Sequence, residues 1–290
     1  MKQKKSLQEL TFKDNFMFGA VMLDPENCKG ILERTLGIEI ERVEVSKEKS
    51  IVYNPEYKGV RLDVYAKDEH SSHYDVEMQV LRKPAVKKRA RYYHGQLDME
   101  ILLSGLPYAE LPDTYVIFIC DYDPFGKGKY RYTQRKICKE EPELSMEDGA
   151  HTVFLSTKGT NVNEVPPALV RFLKFVEAPL SDSDKDFEDD FVRQLQSSVR
   201  KVKESREMGA RYMTFEEFLN EEKEEAREEG RVEGRVEERC QVIIESLEEL
   251  GSVPEELQVK IRQEKDLAVL KKWCRLAAKV EKIAQFEQEI

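Results

Sequence analysis

The sequence predicts an α/β domain that runs into a long, charged helical extension. Three observations predict it. Residues 59–65 and 74–80 each alternate apolar and polar side chains with period two, the pattern of half-buried strands. Residues 114–120 form a continuous apolar run, too short for a helix and therefore a buried strand. From Phe191 to about Leu250 the chain is almost wholly helix-forming and heavily charged, after an acidic, polar stretch at 181–190. The boundary this suggests is a domain over 1–180 and a helical tail over 181–290, exposed or self-associating.

Taken in order, Ser6-Leu7-Gln8-Glu9 is a capping-box pattern that opens a short helix. Phe12, Phe16, Met17, Val21 and Met22 continue an apolar face at helical spacing and are read as core. Asp24-Pro25 supplies an N-cap and a first-turn proline, and Gly37 a C-cap, for a second helix carrying Ile31, Leu32 and Leu36. Residues 40–53 read as one strand, and 54–59 as a turn into the central pair. Residues 67–72 are polar and rich in turn formers, so a β-hairpin joins the two alternating stretches.

Residues 84–103 predict the helix after the hairpin, with Gly105 beyond its end. Arg89 and Tyr93 are i,i+4 neighbours on it, and Gln96 lies a turn further. Its basic first half is open to two readings, a phosphate-facing surface or a solvated one. Residues 121–128 form a loop whose acids are read as turn formers, while 130–139 and 152–155 supply further strands. A helix starting at 165–167 carries Leu169, Val170, Leu173 and Val176 on one side. In the tail, Gly230-Arg231-Val232-Glu233 repeats at once as Gly234-Arg235-Val236-Glu237. Each glycine costs a helix about 1 kcal/mol relative to alanine, which close helix–helix approach could offset. Leu267, Leu270, Trp273, Ala277, Val280, Ile283 and Phe286 predict a last amphipathic helix, packed on Val242, Ile243, Ile244 and Leu247.

Residues two apart on a strand share a face, so Arg61, Asp63 and Tyr65 point one way, and Asp75, Glu77 and Gln79 share a face of their own strand. A turn centred near His70 sets Asp63 opposite Glu77. Side chains paired so directly have β-carbons about 4.5–5.5 Å apart. Two carboxylates at that spacing repel and destabilise an empty hairpin. A divalent cation reverses the sign, because oxygen ligands from both strands suit a hard metal such as magnesium or manganese. Spacing alone leaves a solvated acidic face, paired with Arg61 or Lys87, as the competing reading. Gln79 adds a neutral amide that can position a water but carries no charge.

The 290 residues hold one sizeable domain and an appendage, or two small domains. The net charge of −10 is unusual for a protein that meets DNA, but it is unevenly placed. Residues 1–160 carry 25 Lys and Arg against 26 Asp and Glu, and residues 161–290 carry 22 against 31. The nearly neutral first part can still gather Arg82, Lys83, Lys87, Lys88, Arg89 and Arg91 on one face. The five cysteines are scattered, without the spacing of a zinc site, as expected of free thiols in a reducing cytoplasm. No signal peptide and no membrane-spanning run is expected.

Asp63, a gap, then Glu77-Met78-Gln79 on a second strand resembles the core motif of the PD-(D/E)XK nucleases. Residues 10–18, 60–65, 76–79 and 115–126 match in order. They resemble the PD-(D/E)XK transposase-like group allied to the recombination-promoting nucleases of bacteria, over roughly residues 7–180. The resemblance implies a restriction-endonuclease-like core, a mixed central sheet flanked by helices, with a C-terminal helical extension. It implies a metal-dependent DNA endonuclease linked to recombination or mobile elements. Asp63, Glu77 and the main-chain carbonyl of Met78 would hold Mg2+ or Mn2+. Gln79 would be catalytic, at the position where the wider signature has lysine. Arg89 and Tyr93 match the following helix, and with Gln96 and Lys87 they would contact phosphate. Asp14 would be the first-helix acid, although the next position, often acidic in relatives, is Asn15. DNA is the implied partner, and a homodimer through the C-terminal helices suits duplex cleavage. The departure at Gln79 and the acidic tail also allow a different class, a nuclease-fold interaction module with weak or no catalysis.

Overall fold

A computed structural model describes residues 5–51 and 60–290, without the side chains of Lys47, Glu48 and Ala226. The turn expected at 54–59 lies outside the described residues. Among the described residues six strands form one sheet in the order β1-β2-β3-β4-β6-β5. These are β1 (Val43–Ile51), β2 (Val60–Asp68), β3 (His73–Gln79), β4 (Thr114–Cys120), β5 (Arg131–Gln134) and β6 (Ala150–Ser156). The first three run antiparallel, β3, β4 and β6 parallel, and β5 returns antiparallel to β6. Helix α3 (Val86–Ile101) crosses over between the parallel pair β3 and β4, as such a pair requires.

The β2–β3 ladder pairs Val64 with Val76, Tyr65 with Asp75, Ala66 with Tyr74 and Lys67 with His73. That is the register of a turn centred on His70. Asp68 builds the turn, its Oδ1 accepting from the amides of His70 (2.9 Å) and Ser72 (2.8 Å).

Sequence alternation reads β3 as half-buried, but all seven of its residues are buried. The reason is α3, whose Ala90, Tyr93 and Leu97 join Val116, Phe118, Cys120 and Phe154 in one apolar cluster. Aromatic stacking continues across it, from Tyr93 to Phe118 (6.1 Å) and from Phe118 to Phe154 (5.3 Å). His94 ties the same helix to β4 and β6, with Nδ1 2.9 Å from Thr114 Oγ1 and Nε2 3.0 Å from Thr152 Oγ1.

A second apolar layer joins α1 (Asn15–Met22), α2 (Pro25–Leu36), α4 (Pro167–Glu177) and α5 (Asp190–Glu204) around Phe12, Phe18, Phe172 and Phe175. The caps of α2 are those the sequence predicts. Asp24 Oδ1 accepts from the Glu26 amide, Pro25 opens the helix, and Gly37 closes it at φ +74°. The first helix is broken. Ser6 and Glu9 cap a short 3-10 turn, Leu7–Glu9, and α1 starts only at Asn15.

The compact first unit extends past the suggested boundary at 180, through α5 to Tyr212, and the second spans Met213–Ile290. Asp189 caps α5 through the amides of Phe191 and Val192. Phe191 then seats on α2, where a β-carbon on Gly30 would lie 2.1 Å from Phe191 Cε2. Arg34 covers the other face of the contact, 4.0 Å from the Phe191 ring centre.

Helix α6 (Arg206–Glu248) is continuous through Gly230 and Gly234. Among the described residues nothing lies within 4 Å of a β-carbon placed on either glycine, so no close approach within them offsets the two. The second unit has its own core, in which Val236, Cys240, Ile243, Ile244 and Leu247 meet Leu257, Ile261, Leu270, Ala277 and Phe286. The single last helix expected from the apolar spacing is two, α8 (Leu267–Ala277) and α9 (Ile283–Glu289), with α7 (Glu255–Gln263) before them. Val242, expected in that core, is 45% exposed.

Two substitutions separate these glycines. Gly30→Ala forces Phe191 off α2 and lowers stability by about 1–3 kcal/mol in denaturant unfolding. Gly230→Ala meets open space and raises helix stability by about 1 kcal/mol. Burial, helped by Lys136, pulls the His94 imidazole down from 6.5 to about 4. The unfolded chain therefore binds this proton first. Stability present above about pH 6.5 is lost as pH falls toward about 4. A thermal melt of native protein against His94→Gln over that window should show a loss that the variant lacks.

Candidate active site

The β2–β3 ladder stops at Val64 and Val76, and side chains take over where it stops. Glu77 Oε1 accepts from the Asp63 amide at 3.0 Å, and Asp63 Oδ2 accepts from the Met78 amide at 3.1 Å. Each strand thus places a carboxylate on the other's main chain. Two acids share one opening between adjacent strands.

Arg89 arrives from the first turn of α3. One Nη donates to Glu77 Oε2 (3.1 Å) and to Tyr93 Oη (2.8 Å), the other to Gln79 Oε1 (2.8 Å). Because a guanidinium only donates, Gln79 must present its oxygen there, which turns its amide nitrogen toward Met78 O at 3.1 Å. Gln79 therefore links the Arg89 cation to the carbonyl of Met78, the residue after Glu77. The Arg89 guanidinium also lies 5.3 Å from the Tyr93 ring centre and 5.5 Å from that of Phe118.

Electrostatics follow from burial. Glu77 is 2% exposed, and desolvation, reinforced by Asp63, pushes its carboxyl up to about 8. Burial also raises Asp63, against the pull of the Met78 amide and Arg89. Asp75 is wholly buried and is held well above the carboxylate range by burial and by the charges of Glu77 and Asp63. Arg89 stays charged: burial opposes its charge, but Tyr93, Glu77 and Asp63 outweigh it. Three acids thus gather around one guanidinium.

Asp63, Glu77, Gln79, Arg89 and Tyr93 are brought together, with the Met78 carbonyl among them. Asp14 is engaged elsewhere: its Oδ2 accepts from the Thr11 amide and hydroxyl, and its Oδ1 meets Lys5 at 2.7 Å. Lys87 stands exposed on α3 with its ammonium 4.7 Å from the Phe125 ring centre, and Gln96 is half-buried a turn beyond Tyr93. Arg89 faces inward to the acids rather than outward with the other cations of its helix. The acids of the 121–128 loop are structural. Asp121 binds Lys13, Lys158 and Thr157, and Asp123 binds the amides of Phe125 and Gly128 and the Tyr132 hydroxyl. Sequence reasoning assigned no role to Asp75. Its signal was present, an acid two residues before Glu77 on the same strand face.

A mixed sheet carrying an acid pair at the splayed end of two adjacent strands, with a returning helix that supplies a cation and a tyrosine, defines a nuclease-like protein. The chain belongs to the PD-(D/E)XK nuclease family transposases, whose family model matches residues 12–229. That match reaches past α5, as the first compact unit does. Neither a curated protein nor a solved structure matches the chain. Among the described residues no helix is long and apolar enough to cross a membrane.

The residues present fit a divalent cation. The donors are hard oxygens, two carboxylates and a carbonyl, in a buried place where like charges resist one another. Asp75, beside them, has two buried oxygens without a hydrogen-bond partner. No group of three His, Cys, Asp or Glu converges as ligands among the described residues, so Asp63, Glu77 and Met78 O are the candidate set.

The electrostatics give a sign that can be measured. The folded value of Glu77 lies above its ordinary 4.5, so the folded state binds this proton more tightly. The stability it contributes is complete below about pH 4.5 and is lost as pH rises through about 8. In chelator, the melting temperature of native protein should therefore fall over that range more steeply than that of Glu77→Gln. Equal slopes would refute this electrostatic account.

Proposed function

We propose that the chain is a divalent-cation-dependent endodeoxyribonuclease, acting in the cytoplasm on DNA in recombination or on mobile elements. The observation that carries this reading is the pair of cross-strand hydrogen bonds that puts Asp63 and Glu77 into one opening beside Arg89. Asp63, Glu77 and the Met78 carbonyl would hold Mg2+ or Mn2+. The cation, when bound, would supply Lewis acidity toward a phosphate oxygen and toward an attacking water.

The chain's own residues do the rest. Gln79 holds the Met78 carbonyl through its amide and can orient a water by hydrogen bonding, in the place where the wider signature has lysine. Arg89 provides the fixed positive charge at this site, fitted to a phosphate oxygen by its planar donors. Tyr93 keeps that guanidinium in place at 2.8 Å.

DNA is the reading that the helix after the site supports. Between Val80 and Gly95 the chain holds six cations and no acid. Arg82, Lys83, Lys87, Lys88 and Arg91 are exposed, and none forms an ion pair with a described residue. Such a cluster beside an acid pair suits a phosphate backbone, whatever the chain's net charge. Lys87 and Gln96 lie along this face. Pairing of two chains through the C-terminal helices would present two such sites to one duplex.

A second reading rests on Gln79, which carries no charge where the wider signature has lysine, and on the Arg89–Glu77 ion pair, in which the chain's own cation already engages one of the acids. It makes the chain an interaction module with weak or no catalysis, working through its helical second unit. One experiment separates the two. Supercoiled plasmid should be nicked with Mg2+ or Mn2+ and not with EDTA. Asp63→Ala and Glu77→Ala should each reduce the rate by about 100-fold or more, on the order of an essential catalytic group. Cleavage unchanged in folded Asp63→Ala would remove the proposed site, and no cleavage by native protein on any DNA form would favour the module.

A further inference from the structure

Helix α3 presents two stripes of side chains. Arg89 and Tyr93 turn toward the acid pair, with Ala90 and Leu97 in the apolar cluster beside them. Lys87, Arg91, Gly95 and Asp98 follow one another at helical spacing along a neighbouring face. Against that second stripe lies a groove of about 570 Å3, lined on its other side by residues of β5, β6 and the segment before β4. Its volume falls within the range of small-ligand sites, about 300–1,000 Å3. Ala90, Leu111, Pro112 and Phe154 supply its apolar lining.

Two features of this groove are not required by the fold. Gly95 sits in the middle of α3, where glycine is the poorest helix former after proline. Among the described residues nothing lies within 4 Å of a β-carbon placed on it, so packing does not demand the glycine. What the glycine does is keep the groove wall open. Lys87 and Arg91 stand exposed toward the start of the helix, and neither forms an ion pair with a described residue. Toward the other end Asp98 is half-buried, beside an ion pair between Lys136 and Asp148.

We infer that this groove takes one unpaired nucleotide of a DNA substrate, its phosphate on Lys87 and Arg91 and its base against the apolar lining beside Gly95. The inference rests on the reading of DNA as the partner and adds the form of that DNA, a strand with a base out of the stack. Both cations stand on the helix whose Arg89 meets the acid pair, so a strand lying along α3 would reach groove and site together. This placement favours a nucleotide over an acidic peptide, which could answer the two charges alone. A paired duplex presents phosphates and base edges, while its base faces are stacked on one another, so an apolar slot gains nothing from it. An extruded base brings a flat apolar face to the slot. Asp98 then offers an acceptor to an exocyclic amino group such as that of cytosine.

The probes are two fluorescent duplexes of one sequence, one fully paired and one with a single bulged cytosine. They are titrated with the full chain in EDTA and read by anisotropy. Native protein should bind the bulged probe about 10-fold more tightly, toward the low end of what one seated base contributes. Gly95→Leu, which fills the groove, should abolish that preference, whereas Gly95→Ala, which adds one methyl, should keep it. Both variants should unfold at or above the native temperature, since each replaces a helix glycine with a better helix former. Should Gly95→Leu misfold, Gly95→Gln places a long polar chain in the same space. Equal native affinity for the two probes, or a preference kept in the folded groove-filling variant, overturns the inference, and cation-dependent plasmid nicking by the same preparation leaves the nuclease reading standing. Binding of neither probe overturns the inference and the DNA reading together. A bulge preference lost in Gly95→Leu, from a protein that nicks no plasmid with any cation, supports the groove and overturns the nuclease reading alone.

Discussion

Where β2 and β3 part, Asp63 and Glu77 each bond the other strand's main chain, and the arrangement of the site depends on those two contacts. An ordinary ladder would continue through this position and turn both carboxylates away from the gap. Instead the carboxylates occupy the main-chain donors that the ladder leaves open. The strands therefore stay separated without leaving buried amides unsatisfied. Holding the acids there has an electrostatic cost, which desolvation and mutual repulsion both raise. Arg89 offsets part of it, and it can do so only because α3 returns over β3 and delivers its first turn to the end of that strand.

That return of α3 also explains what the sequence could and could not reveal. Register was legible, because polar turn residues centred on His70 and period-two alternation are local signals. Asp24, Pro25 and Gly37 marked α2 for the same reason: caps act within a few residues. The buried run at β4 was legible from length and apolarity. What escaped was the cover. Asp75, Glu77 and Gln79 alternate with apolar residues as a solvated face would, and only α3 packing above them makes them interior. The inward turn of Arg89, amid cations that face solvent, is likewise a tertiary fact, set by Tyr93, Gln79 and Glu77 together.

A similar limit applies to the division of the chain. Residues 181–190 have the composition of a linker, yet α5 beyond them packs against α1, α2 and α4. The decisive detail is a missing β-carbon at Gly30, which admits the Phe191 ring. In a sequence that glycine reads as a weak point within a helix, and its use is visible only from the partner. Asp14 shows the converse. A residue in the right place for a resemblance closes a local turn instead, its carboxylate accepting from Thr11 and Lys5.

Gln79 and Arg89 work as one hydrogen-bonded unit. A lysine at position 79 would bring a second cation to the hydrogen-bond position that Arg89 now fills, and Arg89 would lose the acceptor that fixes its Nη1. Glutamine avoids that conflict, since its oxygen receives the guanidinium while its amide turns to the Met78 carbonyl. The positive charge beside the acids comes from the helix, on a planar group charged at every accessible pH. It is held by three acceptors rather than swinging on a flexible stem. The site gives up a side chain able to release a proton and keeps an electrostatic anchor.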